Sequence, residues 1–121
     1  MEKARQKLGV AERLRDSGDH EDAVSRAYYA AFHAVKALLT SAGEQPRTHH
    51  GAVTLFNLLF VKTGKMSKRA GRFLANLKDD RESADYELFS YADADTARLA
   101  VEEAQSIIAE ATSYLERVSG S

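Results

Sequence analysis

The segment from Ser25 to Leu39, SRAYYAAFHAVKALL, is a run of alanines interrupted by bulky aromatic residues, most of which carry polar atoms. Alanine has the highest helix propensity, and its small side chain lets a neighbouring backbone approach closely. Tyrosine and histidine carry polar atoms that need hydrogen-bond partners when they are buried. The segment therefore predicts one helix that holds Arg26, Tyr29 and His33 on the side facing another helix.

Residues that break helices are scarce in the rest of the chain. Its 121 residues include one proline and seven glycines, and most of the glycines lie where the helical pattern stops. Apolar residues recur at helical spacing in five segments, over residues 2–16, 20–42, 49–62, 68–85 and 94–118. Short connections make consecutive helices antiparallel neighbours. We therefore expect an all-α fold, an up-and-down four- or five-helix bundle, formed by one domain over residues 1–121 with a frayed end at 119–121.

Two of the predicted helices, the second and the third, are apolar over most of their circumference. A helix of this kind lies in the middle of a bundle, so both are expected at its centre. Asp19, Thr48 and Ser67 each stand just before a predicted helix, and each is expected to cap it with a side-chain oxygen.

The composition indicates in which cellular compartment the protein is found. No cysteine is present, which excludes disulfide bonds and thiolate metal sites. The longest apolar run, residues 52–61, is too short to span a bilayer, which takes about 20 residues. The N-terminal residues lack the apolar core of a signal peptide. We therefore expect a cytoplasmic protein with no membrane segment.

Charge is unevenly distributed, although the net charge is only −1. Residues 62–81 are mostly basic, and residues 82–110 contain one base, Arg98, among many acids. The basic stretch could face RNA. The commoner arrangement is a pair of neighbouring helices that attract each other through surface charge. The sequence leaves both possibilities open.

Metal-binding patterns are not evident. Bundles that hold two metal ions use inward-facing Glu-x-x-His pairs, and this chain has none. His49 and His50 are adjacent, so on a helix they point about 100° apart and cannot share a metal without other ligands. We predict no metal site and no cofactor.

A polar group closes the fourth predicted helix, where Arg81 and Asp85 lie four residues apart and Tyr86 follows. One interpretation is an exposed ion pair worth about 0.3–0.5 kcal/mol. The other is a guanidinium held by a carboxylate and directed at a phosphate, with a tyrosine hydroxyl beside it. Arg26 and His33, seven residues apart, likewise suit either a phosphate site or a buried histidine beside a structural arginine.

Four separated blocks of the sequence resemble the HEPN domain family, in particular its stand-alone prokaryotic branch related to HEPN toxins. The blocks are residues 25–34, 48–51, 56–64 and the Arg81-x-x-Ala84-Asp85-Tyr86 pattern, and the resemblance extends from about residue 5 to 117. It implies an all-α bundle that forms a homodimer. It also implies a partner, a minimal nucleotidyltransferase encoded alongside, often as a toxin–antitoxin pair.

The resemblance further implies a possible ribonuclease activity, because many HEPN toxins cleave RNA without metal through an Arg-x(4–6)-His motif at the dimer cleft. Such cleavage needs a base, an acid and a cation for the phosphate. Five residues after Arg81 this chain has Tyr86, and tyrosine titrates near ~10, so it is a poor base at neutral pH. Arg26 and His33 match the pattern, but they lie on the second helix. The sequence therefore does not decide whether the protein is an enzyme.

Three functions remain open at this point. In the first, the chain is a component of a toxin–antitoxin-type or nucleotidyltransferase-associated system that binds nucleotide or RNA phosphate at a cleft near a dimer interface. In the second it is an active metal-independent ribonuclease that uses His33 or His49. In the third it is a non-catalytic interaction module. The candidate catalytic residues are Arg81, Asp85 and Tyr86, where Tyr86 could instead accept a nucleotidyl group. The candidate binding residues are Arg26, Tyr29, His33 and His49.

Overall fold

The computed structural model describes residues 1–86 and 93–120, without the side chains of 84–86. This part of the chain forms five α-helices and one π-helical segment, and it contains no strand. The predicted all-α class is therefore confirmed. The helices are α1 (Glu2–Ser17), α2 (His20–Ser41), α3 (His49–Phe56), α4 (Lys68–Tyr86) and α5 (Ala94–Ser119), and the π-helical segment (Asn57–Val61) continues α3.

The connection between α1 and α2 is a tight turn. Gly18 adopts a left-handed conformation with φ of 88°, which glycine tolerates better than other residues. Asp19 occupies the position before α2, but the prediction that its carboxylate caps this helix is wrong, since no capping bond forms. Its Oδ2 instead accepts a hydrogen bond from the Ser17 hydroxyl at 2.8 Å. The carboxylate therefore stabilises the turn.

The other two predicted caps form as expected. The backbone N–H of Gly51 donates to Thr48 Oγ1 at 2.9 Å, which fixes the start of α3. The backbone N–H of Ala70 donates to Ser67 Oγ at 3.0 Å, which fixes the start of α4. Such caps satisfy backbone donors that have no partner within the first turn of a helix.

Helix α2 is at the centre of the bundle, as predicted. It packs against α1, α3, α4 and α5, whereas α1 and α4 do not contact each other within the described residues. Its buried residues are Ala23, Val24, Ala27, Tyr28, Ala30, Ala31, Phe32, Ala34, Val35, Leu38 and Leu39. The many alanines allow this close packing on several sides.

Helices α4 and α5 run antiparallel. Ser67 at the start of α4 bonds to Glu110, and Asn76 further along α4 bonds to Glu103, which lies nearer the start of α5. No helix in the described residues is both long enough and apolar enough to cross a membrane.

The third helix is not central, so that prediction is wrong. Phe56 and Phe60 are buried, but Leu58 is 50% exposed. Residues 57–61 also leave the α-helical form, and the N–H of Lys62 bonds to the carbonyl of Asn57 at 2.8 Å. Val53, Leu55, Leu59 and Val61 are only partly buried against the core, so this short helix lies at the edge of the bundle. Gly71 of α4 lies against the π-helical segment, where an added Cβ would be 3.2 Å from the Asn57 amide oxygen.

Candidate functional site

Three aromatic residues of α2 form the base of the candidate site. Tyr28 and Phe32 are buried and lie four residues apart, so they share one side of the helix. Their rings stack with centroids 6.0 Å apart. The half-buried ring of Tyr29 meets Tyr28 edge-on at 5.4 Å. Both contacts are favourable arrangements for aromatic pairs.

His49 is the first residue of α3, and the Thr48 cap places it against α2. Its imidazole stacks on Phe32, with ring centroids 4.0 Å apart and planes 11° apart. Its Nδ1 lies 3.0 Å from the Tyr28 hydroxyl oxygen. The residue is nevertheless exposed, and its other ring nitrogen, Nε2, has no hydrogen-bond partner in the described part of the chain. The imidazole is therefore held in place while one edge stays open to solvent.

Arg81 reaches the same aromatic residues from α4. Its Nη2 donates to the Tyr29 hydroxyl at 2.7 Å. Its Cζ lies 5.0 Å from the ring centroid of Tyr29 and 5.5 Å from that of Tyr28. Cation–π contacts of this kind contribute about 0.5–2 kcal/mol. We call Tyr28, Tyr29, Phe32, His49 and Arg81 the aromatic–cation cluster.

Positive charge surrounds the imidazole. Burial lowers the pKa of His49 below its ordinary value, and the charges of Arg81, Lys36 and Lys78 lower it further. Burial raises the pKa of Tyr28, and the charge of Arg81 partly opposes that rise. At neutral pH the imidazole is therefore neutral and the Tyr28 hydroxyl keeps its proton. A neutral imidazole can accept a proton, and the cations around it attract an anion.

The residues predicted from sequence do not all come together. Tyr29, His49 and Arg81 come together in the cluster. Arg26 is exposed, and no contact joins it to the cluster. His33 is half-buried and meets the Phe32 ring edge-on, with centroids 6.4 Å apart. Burial lowers its pKa, and the charges of Lys3, Lys36 and Lys7 lower it further. Within the described part of one chain, Arg26 therefore does not join His49 and Arg81.

Two further predicted residues, Asp85 and Tyr86, belong to the last turn of α4. Their side chains lie outside the described part of the chain. A group of three or more potential metal ligands is not found among the described residues.

Four residues near the site were not predicted as functional, namely Tyr28, Phe32, Lys36 and Lys78. Tyr28 and Phe32 have the spacing of core residues, and both are indeed buried. The spacing of Phe32 and Lys36, four residues apart on α2, could have placed Lys36 on the same side of the helix. Their approach to His49 depends on how α3 packs, which no local pattern reveals.

The sequence matches the family model described as HEPN domain over residues 1–115. A protein of Methanocaldococcus jannaschii named as a candidate toxin is 36% identical over 118 residues, which cover 98% of this chain and 82% of that protein. A second protein of that organism, similarly named, is 34% identical over 87 residues, covering 72% of this chain and 59% of that protein. A UPF0332 protein of Thermotoga maritima is 39% identical over 84 residues, covering 69% of this chain and 64% of that protein.

Proposed function

This chain belongs to the HEPN domain family, and we propose that it is a toxin-like HEPN protein that binds RNA or nucleotide phosphate at the aromatic–cation cluster. The observation that carries the proposal is the meeting of Arg81 and His49, from two different helices, on the hydroxyl groups of Tyr29 and Tyr28. The two relatives named as candidate toxins support the toxin-like part of the proposal.

The chemistry of the cluster suits a phosphate. A guanidinium is planar and presents several N–H donors, so it can hold a phosphate through two bonds at once. Here one Nη2 bond to Tyr29 and the two ring faces fix the guanidinium plane in advance. Lys36 and Lys78 add positive charge around His49. A site that is ordered before binding loses less free energy when the ligand arrives.

The test is the affinity for a fluorescein-labelled single-stranded RNA octamer, measured by fluorescence anisotropy at fixed salt. Arg81→Lys keeps the charge but removes the planar fork, so we expect about ten-fold weaker binding. The matched control is Arg98→Lys, since Arg98 is an exposed arginine of α5 that pairs with Glu102 at 3.2 Å. An equal change in both variants would contradict the proposal.

The alternative function, a non-catalytic interaction module, predicts a different result in the same experiment. It predicts that neither RNA nor AMP binds at micromolar protein, and that Arg81→Lys changes only stability or self-association. Calorimetric titration with AMP measures nucleotide binding, and urea unfolding measures stability. The two measurements on the same preparations separate the two functions.

A second candidate function, metal-independent RNA cleavage, is favoured by the open Nε2 of His49. In that reaction His49 would take the proton of a ribose 2′-hydroxyl, and the resulting oxygen would attack the phosphorus. The bond to the 5′-oxygen would break as that oxygen takes a proton from solvent water, and the imidazolium would then return its proton to the solvent. Arg81 would stabilise the charge on the phosphate. A base with a lowered pKa keeps its activity as the pH falls towards 6.5 and loses it only in more acidic solution.

Cleavage is tested by incubating the RNA octamer with purified protein in EDTA. We expect His49→Gln to abolish the cleavage, because the amide cannot accept the proton, and His50→Gln to retain it. Intact RNA at micromolar wild-type protein would eliminate this candidate while leaving phosphate binding untouched.

The partners that we propose are a second copy of the chain and a minimal nucleotidyltransferase, with the phosphate site near the dimer interface. Tyr86 is proposed as an acceptor of a nucleotidyl group. Light scattering gives the oligomeric state. Mass spectrometry after co-expression with the product of the adjacent gene detects the adduct, which Tyr86→Phe should remove and Tyr114→Phe should not.

A further inference from the structure

A groove follows α2 away from the aromatic–cation cluster. Phe32, Lys36 and Thr40 recur every fourth residue and so share one side of this helix. Lys36 and Thr40 line a groove of about 370 Å³, whose other wall is Glu44, Gln45 and Pro46 in the loop after α2. Four residues of α-helix rise about 6 Å. Phe32 and the imidazole that stacks on it therefore lie about one helical turn from the Lys36 end of the groove.

The imidazole of His49 is open on the face away from Phe32. One face lies on the Phe32 ring at 4.0 Å, and the residue as a whole is exposed. Phe32 covers one face and the Tyr28 hydroxyl meets the Nδ1 edge, so we infer that the opposite face and the Nε2 edge carry the exposed surface. A flat ring that is fixed from below and open above is a platform on which an unpaired base can stack.

Charges divide the groove into two ends. Lys36 stands at the end near His49, where Lys78 and Arg81 also contribute positive charge. Glu44 stands in the opposite wall, next to Gln45. A carboxylate repels phosphate, but it accepts hydrogen bonds from the N–H groups of a base, and an amide can both donate and accept. The groove thus suits phosphate at one end and the polar edge of a base at the other.

We propose that this groove binds one unstacked nucleobase of a single-stranded RNA, which stacks on the open face of His49 and directs its polar edge at Glu44 and Gln45. Lys36 holds the adjoining phosphate. The volume of about 370 Å³ is at the lower end of the range for small-ligand sites and is large enough for a nucleobase. The inference rests on the proposed function, that the chain binds RNA at the aromatic–cation cluster.

The experiment compares two labelled octamers, an adenylate octamer and a ribose-phosphate octamer of the same length without bases, by fluorescence anisotropy on the full chain. Stacking on an aromatic side chain predicts about ten-fold tighter binding of the adenylate octamer. His49→Phe keeps a flat ring and should keep this preference, whereas His49→Ala should remove it. The matched control is His50→Ala, the exposed neighbouring histidine, which should keep the preference.

The outcomes separate the two proposals. If the unmodified protein binds neither octamer, the proposed function fails and the groove fails with it. If it binds both octamers equally, phosphate binding stands and the base site is overturned. Equal losses of preference in His49→Ala and His50→Ala would overturn it too. Gln45→Ala, in an exposed loop position, should reduce the preference even if His49→Ala does not fold.

Discussion

Two polar regions of the bundle, the aromatic–cation cluster and the contact between α4 and α5, differ in what their polar atoms bond to. At the α4–α5 contact, the Glu110 carboxylate accepts bonds from the backbone N–H and the hydroxyl of Ser67. The Asn76 amide donates to Glu103 Oε2 at 2.9 Å. These bonds join the two helices, and of the four residues only Glu103 is buried, with its Oε1 unpartnered among the described residues. We call Ser67, Asn76, Glu103 and Glu110 the α4–α5 polar contact.

The cluster instead holds polar groups in place without using all of their bonding capacity. Tyr28 and Tyr29 bond to His49 and Arg81, yet His49 is exposed and its Nε2 has no partner among the described residues. Glu103, in contrast, is only 4% exposed. The difference teaches that the polar side chains between α4 and α5 bond mainly to each other, whereas the imidazole that the core fixes at the surface is available to a ligand.

The largest expected effect comes from Tyr28, which belongs to the core and to the cluster at once. Tyr28→Ala should lower the free energy of unfolding by about 3–5 kcal/mol, because it leaves a cavity where a fully buried ring packed. Tyr28→Phe should cost about 0.5–1.5 kcal/mol, since only the bond to His49 is lost. Urea unfolding measures both. A loss of unfolding free energy below about 1 kcal/mol for Tyr28→Ala would contradict the statement that the core holds the cluster in place.

Ser67→Ala tests the role of the α4–α5 polar contact. The Ser67 hydroxyl accepts from the Ala70 N–H and donates to Glu110, so its removal should cost about 1 kcal/mol of unfolding free energy. RNA affinity should not change, because the substitution is at the far end of α4 from Arg81. Urea unfolding and anisotropy, on one preparation, test the two statements. If Ser67→Ala had normal stability but weaker RNA binding, the α4–α5 polar contact would be a binding region and not a stabilising one.

The sequence predicted the helices well because their signals are local. Periodic apolar positions and the caps Thr48 and Ser67 act within a few residues, so the bounds of α4 and α5 agree with the prediction to within one residue. The exposure of Leu58 was not predictable in this way. An apolar side chain has the same pattern whether it meets its own core or faces outward.

The cluster was predicted only in part, for a related reason. Tyr29, His49 and Arg81 were singled out by residue type, but the bond between Tyr28 and His49 joins residues 21 positions apart. Arg26 and His33 share a helix side with Tyr29, yet only Tyr29 faces α4. The height along α2 at which α4 packs decides this, and it follows from the packing of the whole core.

The smallest expected effect is a pH dependence at the α4–α5 polar contact. Burial raises the pKa of Glu103 above the ordinary 4.5, and its bond from Asn76 only partly offsets this rise. Because the folded pKa is the higher one, ionisation at neutral pH costs folding free energy. That cost disappears as the pH falls through the folded pKa towards 4.5.

Glu103→Gln tests this cost, since the amide cannot ionise and still offers an oxygen to Asn76. Relative to wild type, its free energy of unfolding should rise between pH 4 and pH 7, by less than the loss in Ser67→Ala. The control is Glu102→Gln, an exposed neighbour paired with Arg98. Subtracting wild type at each pH removes any constant effect of the amide group. A difference that stays level with pH, or that falls, would mean that Glu103 is as well solvated as a surface carboxylate, and the contrast between the buried Glu103 and the exposed His49 would lose its physical basis.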